Sequence, residues 1–314
     1  MRSARSEGPK RRRLWHPGLP DPKVLDLVDL FLFVADARIP ATSIRLASPY
    51  LGKKRRVYVL VKPDLADPGA TALWLESLSC EGIPAFAVDC RTAEGLSSLV
   101  RHLRLRKQEL DARTPSGLTP RPIRLMLFGL PNAGKSSLAN RLLGSARARF
   151  GAKPGLTRGS QWLRGRGFLE VLDTPGVVDT SQVKGEAKMK LASVWALPDG
   201  QFDPEEVALW LARKVLCGAG PSEARDVEPL STQATESRTD MDAALSYIEE
   251  FGRRRGLIGA AGAVDLERAS RALVHAFREG ELGRFTLELP SEIPKRVPAN
   301  GQGIEGPVPC QGLL

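Results

Sequence analysis

A glycine-rich stretch in the middle of the chain has the residue types and spacing of a phosphate-binding loop. Residues 129–136 read GLPNAGKS, which fits G-x-x-x-x-G-K-[ST], and they follow an apolar run (123–128) and open a helical pattern (135–143). In such a loop, backbone N–H groups and the helix N-terminus hold phosphate oxygens. Lys135 is expected to reach the β and γ phosphates, and the Ser136 hydroxyl is expected to ligate Mg²⁺. Nucleotide contacts are therefore expected from Asn132, Ala133, Gly134, Lys135, Ser136 and Ser137.

Two further motifs complete the metal site that this loop predicts. Residues 168–176 read FLEVLDTPG and end in the D-x-x-G arrangement, in which Asp173 holds Mg²⁺ through water and the Gly176 N–H contacts the γ-phosphate. Between the two motifs, Thr157 in KPGLTRG is a candidate switch threonine that would complete the magnesium shell. The metal ligands are therefore predicted to be Ser136, Thr157 and Asp173. Catalytic and γ-phosphate contacts are predicted from Lys135, Thr157 and Gly176.

The residues that could read a base come before the phosphate loop rather than after it. Guanine recognition needs a carboxylate that accepts hydrogen bonds from N1 and N2 of the base, usually as N-K-x-D at the end of a strand. No such motif follows residue 176, whereas the run RVYVLV (56–61) leads into Lys62-Pro-Asp64. We expect Lys62 to stack on the base and Asp64 to read it.

Apolar runs of strand length alternate with helical patterns in the first part of the chain. The runs cover 28–37, 56–61, 83–88, 123–129 and 168–176, and the helical patterns cover 69–80, 94–110 and 135–143. This alternation predicts an α/β fold with a mostly parallel, doubly wound sheet that binds ligands at the carboxyl ends of its strands. After residue 185 the strand signals stop, and helices are predicted over 203–216 and 265–280.

Four regions are expected along the chain. They are a basic flexible start (1–14), a GTPase domain (15–185), a helical RNA-binding domain (186–290) with a flexible insertion near 218–242, and a disordered tail (291–314). Gly176 leads into the helical domain with little intervening chain, so contacts to the γ-phosphate could be passed to that domain.

The charge of the chain favours a polyanionic partner. Its 314 residues carry a formal net charge of +10, and residues 141–166 include no acidic side chain. A basic surface favours approach to nucleic acid. No apolar run approaches the roughly 18 residues of a membrane span, so no membrane partner is expected. A cytoplasmic protein is expected, and the Arg-rich start leaves the mitochondrion or chloroplast as an alternative.

Taken together, the motifs resemble those of the circularly permuted GTPases, and within them the bacterial ribosome-assembly GTPases of the RbgA/YlqF family. In that family the guanine-reading motifs precede the phosphate loop. The loop is similar to the family's GxPNxGKSSLxNxL, residues 36–40 read DARIP like an early family strand end, and residues 277–290 are similar to its closing motif. The similarity spans roughly residues 15–290. It implies a circularly permuted P-loop NTPase fold that binds and hydrolyses GTP.

Several positions depart from the family pattern or from GTPases in general. Val61 stands where the family has the base-reading Asn, which removes a polar group that ties the base to the phosphate loop. Leu19 stands at the histidine to which the family's water activation is attributed, and His16 is the candidate substitute. Residues 88–90 match the last guanine loop only loosely. Val177 follows D-x-x-G where many GTPases carry a water-orienting Gln, so slow intrinsic hydrolysis is expected.

The resemblance implies a GTP-hydrolysing assembly factor that acts on the precursor of the large (50S) ribosomal subunit through rRNA binding. The expected cofactors are GTP or GDP and Mg²⁺. Potassium is a further candidate because Asn132 stands where potassium-activated GTPases place an Asn. Two alternatives stay open: a GTPase that acts on tRNA or tRNA-modifying complexes, and a weakly hydrolysing, GTP-sensing RNA-binding scaffold. The protein is expected to be monomeric off the ribosome.

Overall fold

The structure is a computed structural model that describes most of the chain between residues 22 and 290. The described residues are 22–51, 55–115, 118–144, 148–150, 161–165, 167–173, 180, 182–216, 240–259 and 262–290. His16, Leu19, Thr157, Gly176 and Val177 therefore lie outside the described residues. So do the basic start, the tail and most of the insertion that the sequence predicts.

The strands that the structure describes form one seven-stranded sheet. In chain order they are β1 (Leu30–Asp36), β2 (Arg56–Val61), β3 (Ala85–Val88), β4 (Ile123–Phe128), β5 (Ala148–Phe150), β6 (Gln161–Arg164) and β7 (Leu169–Asp173). Their order across the sheet is β3-β2-β1-β4-β7-β6-β5. The first five strands in this order pair in parallel, and β6 and β5 add antiparallel pairs at one edge. The prediction of a mostly parallel sheet is confirmed.

The central position of β1 explains how distant parts of the chain form one site. Every residue of β1 is buried, as its unbroken apolar run LFLFVA predicts for a strand covered on both faces. Asp36 at its end is in register with Val61 of β2, and on the other side Phe33 is in register with Phe128 of β4. The carboxyl ends of these three parallel strands therefore meet at one edge of the sheet.

The helices that the structure describes cover the sheet and then form a cluster of their own. They are α1 (Pro22–Leu25), α2 (Pro40–Leu51), α3 (Pro68–Cys80), α4 (Leu96–Asp111), α5 (Lys135–Leu143), α6 (Glu186–Ser193), α7 (Pro204–Leu216), α8 (Asp240–Arg254) and α9 (Leu266–Glu279). The five helices predicted from the sequence are all present, with ends shifted by at most two residues. Within the described part of the chain, none of these helices is long and apolar enough to cross a bilayer.

Some elements were not predicted from the sequence. Helix α2 reads PATSIRLASPYL, and its Ser, Thr and second Pro weaken the helical signal. Helix α8 begins at Asp240, so the last residues of the insertion predicted near 218–242 are helical. The short strands β5 and β6 lie in a basic region without a long apolar run.

The last described segment returns from the helical cluster to the sheet. The backbone N–H of Phe285 donates to the Leu65 carbonyl at 3.1 Å, and the Leu287 N–H donates to the Arg38 carbonyl at 2.9 Å. The buried Trp74 side chain of α3 donates through Nε1 to the Glu288 carbonyl at 2.9 Å. The segment after α9 thus attaches the helices α7, α8 and α9, which pack against one another, to the domain that carries the phosphate loop.

Candidate nucleotide-binding site

The phosphate loop lies between β4 and α5, as predicted, and two of its glycines are required by its backbone. Gly129 has φ 158°, and a Cβ built there would lie 2.1 Å from the Val34 carbonyl oxygen of β1. Gly134 has φ 92° in the left-handed region, which any residue with a side chain adopts only with strain. The glycine spacing therefore allows the loop to pass close to the end of β1 and turn into α5.

Lys135 holds its positive charge against the loop itself. Its ammonium donates to the Leu130 carbonyl at 2.6 Å and to the Gly129 carbonyl at 3.2 Å, and the residue is only 8% exposed. The next two residues, Ser136 and Ser137, are exposed in the first turn of α5, and Ala133 within the loop is buried. The charge and the hydroxyl groups that a phosphate site needs are thus in one turn of chain.

The base motif is brought into contact with the phosphate loop. Lys62 follows β2 with a left-handed φ of 57°, and its ammonium donates to the Asn132 carbonyl at 3.3 Å. The Val61 Cγ2 atom lies 3.4 Å from where a Cβ on Gly134 would be. The apolar Val61 side chain therefore lies beside the loop at the position where the family has an Asn.

A buried carboxylate orients Lys62. Asp36, at the end of β1, lies 3.0 Å from the Lys62 ammonium and accepts two hydrogen bonds of 3.0 Å from the Arg38 guanidinium. Burial by itself raises the pKa of Asp36, but the charges of Arg38 and Lys62 and the Arg38 hydrogen bonds outweigh it and hold that pKa well below its ordinary value. Asp36 is therefore ionised and fixes Lys62 beside the loop.

The predicted base reader has a partner that was not predicted from the sequence. Asp64 lies just after Lys62, and its Oδ2 is 2.5 Å from the NH2 group of Arg91. Arg91 lies in the loop after β3, the loop that matches the family's last guanine motif only loosely. The structure thus brings Lys62, Asp64 and this loop together, and no local sequence pattern indicates the pairing of Asp64 with Arg91.

Asn132 connects the loop to the helical part of the chain. It has a left-handed φ of 54°, and its Nδ2 donates to the Trp195 carbonyl at 2.7 Å. Trp195 follows α6 and also has a left-handed φ, of 67°. The side-chain nitrogen of Asn132, the residue predicted to bind K⁺, is therefore hydrogen-bonded to a backbone carbonyl of the segment after α6.

The predicted metal ligands are partly within the described residues. Strands β4 and β7 are neighbouring parallel strands, so Asp173 at the end of β7 lies at the same edge of the sheet as the phosphate loop. Ser136 is exposed at that edge, and Thr157 is outside the described residues. Hydroxyl and carboxylate oxygens are the donors that Mg²⁺ prefers, so this set fits the ion. Among the described residues, there is no cluster of three or more His, Cys, Asp or Glu side chains that could hold another metal.

Comparisons with known proteins agree with this geometry. The family described as "50S ribosome-binding GTPase" matches residues 124–203. The chain is 32% identical over 271 residues to Ribosome biogenesis GTPase A of Priestia megaterium, covering 85% of this chain and 91% of that protein. It is 27% identical to the protein of the same name from Thermotoga maritima, covering 89% and 95% of the two chains.

A solved structure shares the fold. The GDP-bound structure of TM YlqF superposes with a TM-score of 0.61 at 24% sequence identity, covering 86% of this chain and 98% of that chain. The sequence relationship extends over nearly the whole of both chains in the Priestia megaterium comparison. The resemblance expected from the motifs is therefore confirmed, and the chain belongs to the Ribosome biogenesis GTPase A family.

Proposed function

We propose that this protein hydrolyses GTP and uses the nucleotide state to control its binding to the precursor of the large ribosomal subunit. The observation that carries the proposal is the contact between the Lys62 ammonium and the Asn132 carbonyl, at 3.3 Å. It joins a base motif near the start of the chain to a phosphate loop that begins 67 residues later. The permuted order of motifs thus produces a single nucleotide site, in a chain whose relatives are named for ribosome biogenesis.

The residues of this site have separate tasks. Lys135 would leave its two loop carbonyls and bind β and γ phosphate oxygens, since a phosphate is a stronger acceptor than a neutral carbonyl. Lys62 would lie against the face of the base, and Asp64 would accept from its N1–H and N2–H groups. Ser136 would hold Mg²⁺, together with Thr157 and Asp173, and the ion would neutralise charge on the β and γ phosphates.

Hydrolysis by the isolated protein is expected to be slow. Val177 follows D-x-x-G, and a hydrocarbon side chain there can neither orient water nor stabilise charge. His16 is the remaining candidate on this chain for activating water, and a group from the ribosome or K⁺ near Asn132 would add to it. Stimulation by ribosomal particles is therefore expected.

Contacts between the two parts of the chain support coupling of nucleotide state to the helical domain. The Arg278 guanidinium of α9 donates to the Ala192 carbonyl at 2.7 Å and stacks on the Trp195 ring, 4.0 Å from its centroid. The Trp195 carbonyl in turn accepts from Asn132 in the phosphate loop. A change in the loop on binding GTP would therefore act directly on the segment that positions α9.

Exposed arginines on the helical domain support an RNA partner. Arg253 of α8 and Arg268 of α9 are exposed, and neither forms an ion pair with any residue that the structure describes. Unpaired arginines on a protein with a net charge of +10 are suited to phosphate contacts. We infer an rRNA contact through this domain, in a cytoplasmic protein that is monomeric off the ribosome.

Cosedimentation with large-subunit precursors tests the proposal. Particles are spun with the protein and GDP, GTP or a non-hydrolysable GTP analogue, in K⁺ buffer with Mg²⁺. We expect more protein in the pellet with the analogue than with GDP, and faster phosphate release with GTP when particles are present.

The Lys135→Ala variant is the matched control, because it removes the phosphate contact and leaves the helical surface unchanged. It should show no difference between the nucleotides and a loss of at least about 100-fold in hydrolysis. Equal pelleting of the wild-type protein with all nucleotides would refute the proposal. Preferential recovery of tRNA with the wild-type protein would instead support the tRNA alternative.

A further inference from the structure

The loop after β3 places an arginine against the carboxylate that is proposed to read guanine. Arg91 NH2 lies 2.5 Å from Asp64 Oδ2, and the Arg91 side chain is 76% exposed whereas that of Asp64 is 21% exposed. The guanidinium is therefore at the solvent side of the base motif, where a base could meet both groups.

The backbone of Arg91 is fixed from two sides. Its N–H donates to Asp89 Oδ1 at 2.7 Å, and Thr92 Oγ1 donates to the other oxygen of Asp89 at 2.8 Å. Arg141 of α5 donates to the carbonyl oxygens of Cys90 and Arg91. Because α5 begins at the phosphate loop, the loop after β3 keeps a fixed distance from the phosphate site, and the Arg91 side chain is the part that can adjust.

The environment of Cys90 supports the closeness of the two motifs. Burial, together with the charges of Asp89 and Asp64, raises the pKa of the Cys90 thiol to about 11, against the opposing charges of Arg141 and Lys62. Charges from the motif after β2 and from the loop after β3 thus act on the same thiol. A small ligand could contact both motifs at once.

The chemistry of the guanine edge indicates what Arg91 would contact. A carboxylate has about four lone-pair positions, so Asp64 can accept from N1–H and N2–H of the base while it remains bonded to Arg91. In guanine, O6 is bonded to C6, and C6 is bonded to N1. A donor beside the Asp64 oxygen that accepts from N1–H therefore lies next to O6. Val61 supplies no amide donor to this site.

We propose that Arg91 is a specificity-determining residue that donates a hydrogen bond to guanine O6 while it stays paired with Asp64. The inference rests on the proposed function, since it requires a guanine nucleotide at this site. Adenine carries an amino group at C6 and no proton on N1, so it would present a donor to Arg91 and an acceptor to Asp64. Both mismatches disfavour adenine.

Binding of GDP and of 6-thio-GDP to the wild-type protein and to Arg91→Ala tests this contact. Sulfur at position 6 is a weak acceptor, while N1–H and N2–H are retained. The wild-type protein should prefer GDP over 6-thio-GDP by about tenfold, as expected for one hydrogen bond to a charged donor. Arg91→Ala should bind GDP about tenfold more weakly than the wild-type protein does. The ratio of its affinities for GDP and 6-thio-GDP should be close to one.

The comparison separates a direct contact from an effect on Asp64. If Arg91 only orients Asp64, Arg91→Ala will weaken both ligands equally and the preference for GDP will stay, which would overturn the proposal. Unchanged or tighter GDP binding by the variant would overturn it as well. Arg91→Lys, which keeps a cation but not the planar pair of donors, should give an intermediate preference.

Two further measurements keep the interpretation unambiguous. Arg101→Ala removes an exposed arginine of α4 outside the site and should leave both affinities unchanged. Wild-type protein with no preference for GDP over ADP would contradict the proposed function itself. If the wild-type protein prefers GDP over ADP but Arg91→Ala binds GDP and 6-thio-GDP as the wild type does, only the role of Arg91 is contradicted.

Discussion

At the scale of single residues, the site depends on a buried ionised carboxylate. Asp36 is 2% exposed and is held between the Arg38 guanidinium and the Lys62 ammonium. Arg38 is also buried, and its NH1 group donates to the Phe277 and Arg278 carbonyls at the end of α9. Removing the charge of Asp36 would leave Arg38 buried without its counter-ion and would free Lys62 from its position beside the phosphate loop.

Asp36→Asn should therefore lower the free energy of unfolding by about 3–5 kcal/mol at pH 7. Because the folded state lowers the pKa of Asp36, its contribution to stability is fully present above the unfolded pKa of about 4 and is lost as the pH falls further. Urea unfolding at pH 7 and below pH 4 should show that the difference between wild type and variant narrows in acid.

The same substitution at a more exposed carboxylate serves as the control for Asp36→Asn. Asp111 is 34% exposed and pairs with Lys107 one turn earlier in α4. Asp111→Asn should change the free energy of unfolding by less than about 1 kcal/mol. A difference between wild type and Asp36→Asn that stayed constant down to the lowest pH would contradict the assignment of an ionised Asp36.

At the scale of secondary structure, α9 has the boundaries that its cap residues predict. Asp265 Oδ1 accepts from the Arg268 N–H at 3.0 Å, and Gly280 ends the helix with φ 81°. Asp265→Ala should lower the free energy of unfolding by about 1 kcal/mol, because the first turn loses a hydrogen-bond acceptor.

Asp265→Asn is the appropriate comparison, since an Asn side chain keeps the acceptor oxygen and caps nearly as well. Thermal or urea unfolding of both variants would measure the difference. Equal destabilisation by Ala and Asn would show that the carboxylate charge, rather than the capping hydrogen bond, stabilises the helix.

The elements that were predicted from the sequence share strong local signals. β1 and β2 are unbroken apolar runs, and α3 and α9 each begin with an Asp cap whose side chain accepts from the first turn. Helix α2 was not predicted, because its boundaries depend on packing: Thr42 in its first turn is bonded to Glu288 from the far end of the chain. Local sequence patterns cannot predict a contact between residues so far apart in the chain.

In the nucleotide-binding site as well, local motifs could be predicted from the sequence, whereas contacts between distant residues could not. Lys135 and Ser136 were predictable, because the phosphate loop is a contiguous motif with a fixed mechanism. The pairing of Asp64 with Arg91 was not, since these residues are 27 positions apart and meet only through the order of the strands in the sheet. Predicted residues outside the described part of the chain, His16, Thr157 and Gly176 among them, stay predictions.

At the scale of the whole molecule, unpaired charge is expected to determine how strongly the protein binds RNA. In the helical domain, Arg254 and Arg271 are paired with glutamates one turn away on their own helices. Arg253 and Arg268 are exposed, and within the described chain neither has an acidic partner. These two side chains therefore keep their charge available for phosphates.

The double variant Arg253→Glu/Arg268→Glu should bind large-subunit RNA more weakly at every salt concentration. Each lost phosphate contact should reduce the slope of log affinity against log salt by about one. GTP affinity should not change, because neither residue contacts the phosphate loop or the base motif. Filter binding over a salt series, with nucleotide affinity measured in parallel, tests both expectations.

Arg101→Glu/Arg113→Glu makes the same change in net charge on exposed residues of the first domain. If net charge alone attracts the RNA, both double variants will weaken binding to the same extent, because long-range attraction depends on the total charge. If the RNA docks on α8 and α9, the first variant will lose both affinity and salt slope, whereas the second will keep its slope. Equal behaviour of the two variants would therefore place the RNA contact elsewhere than on the helical domain.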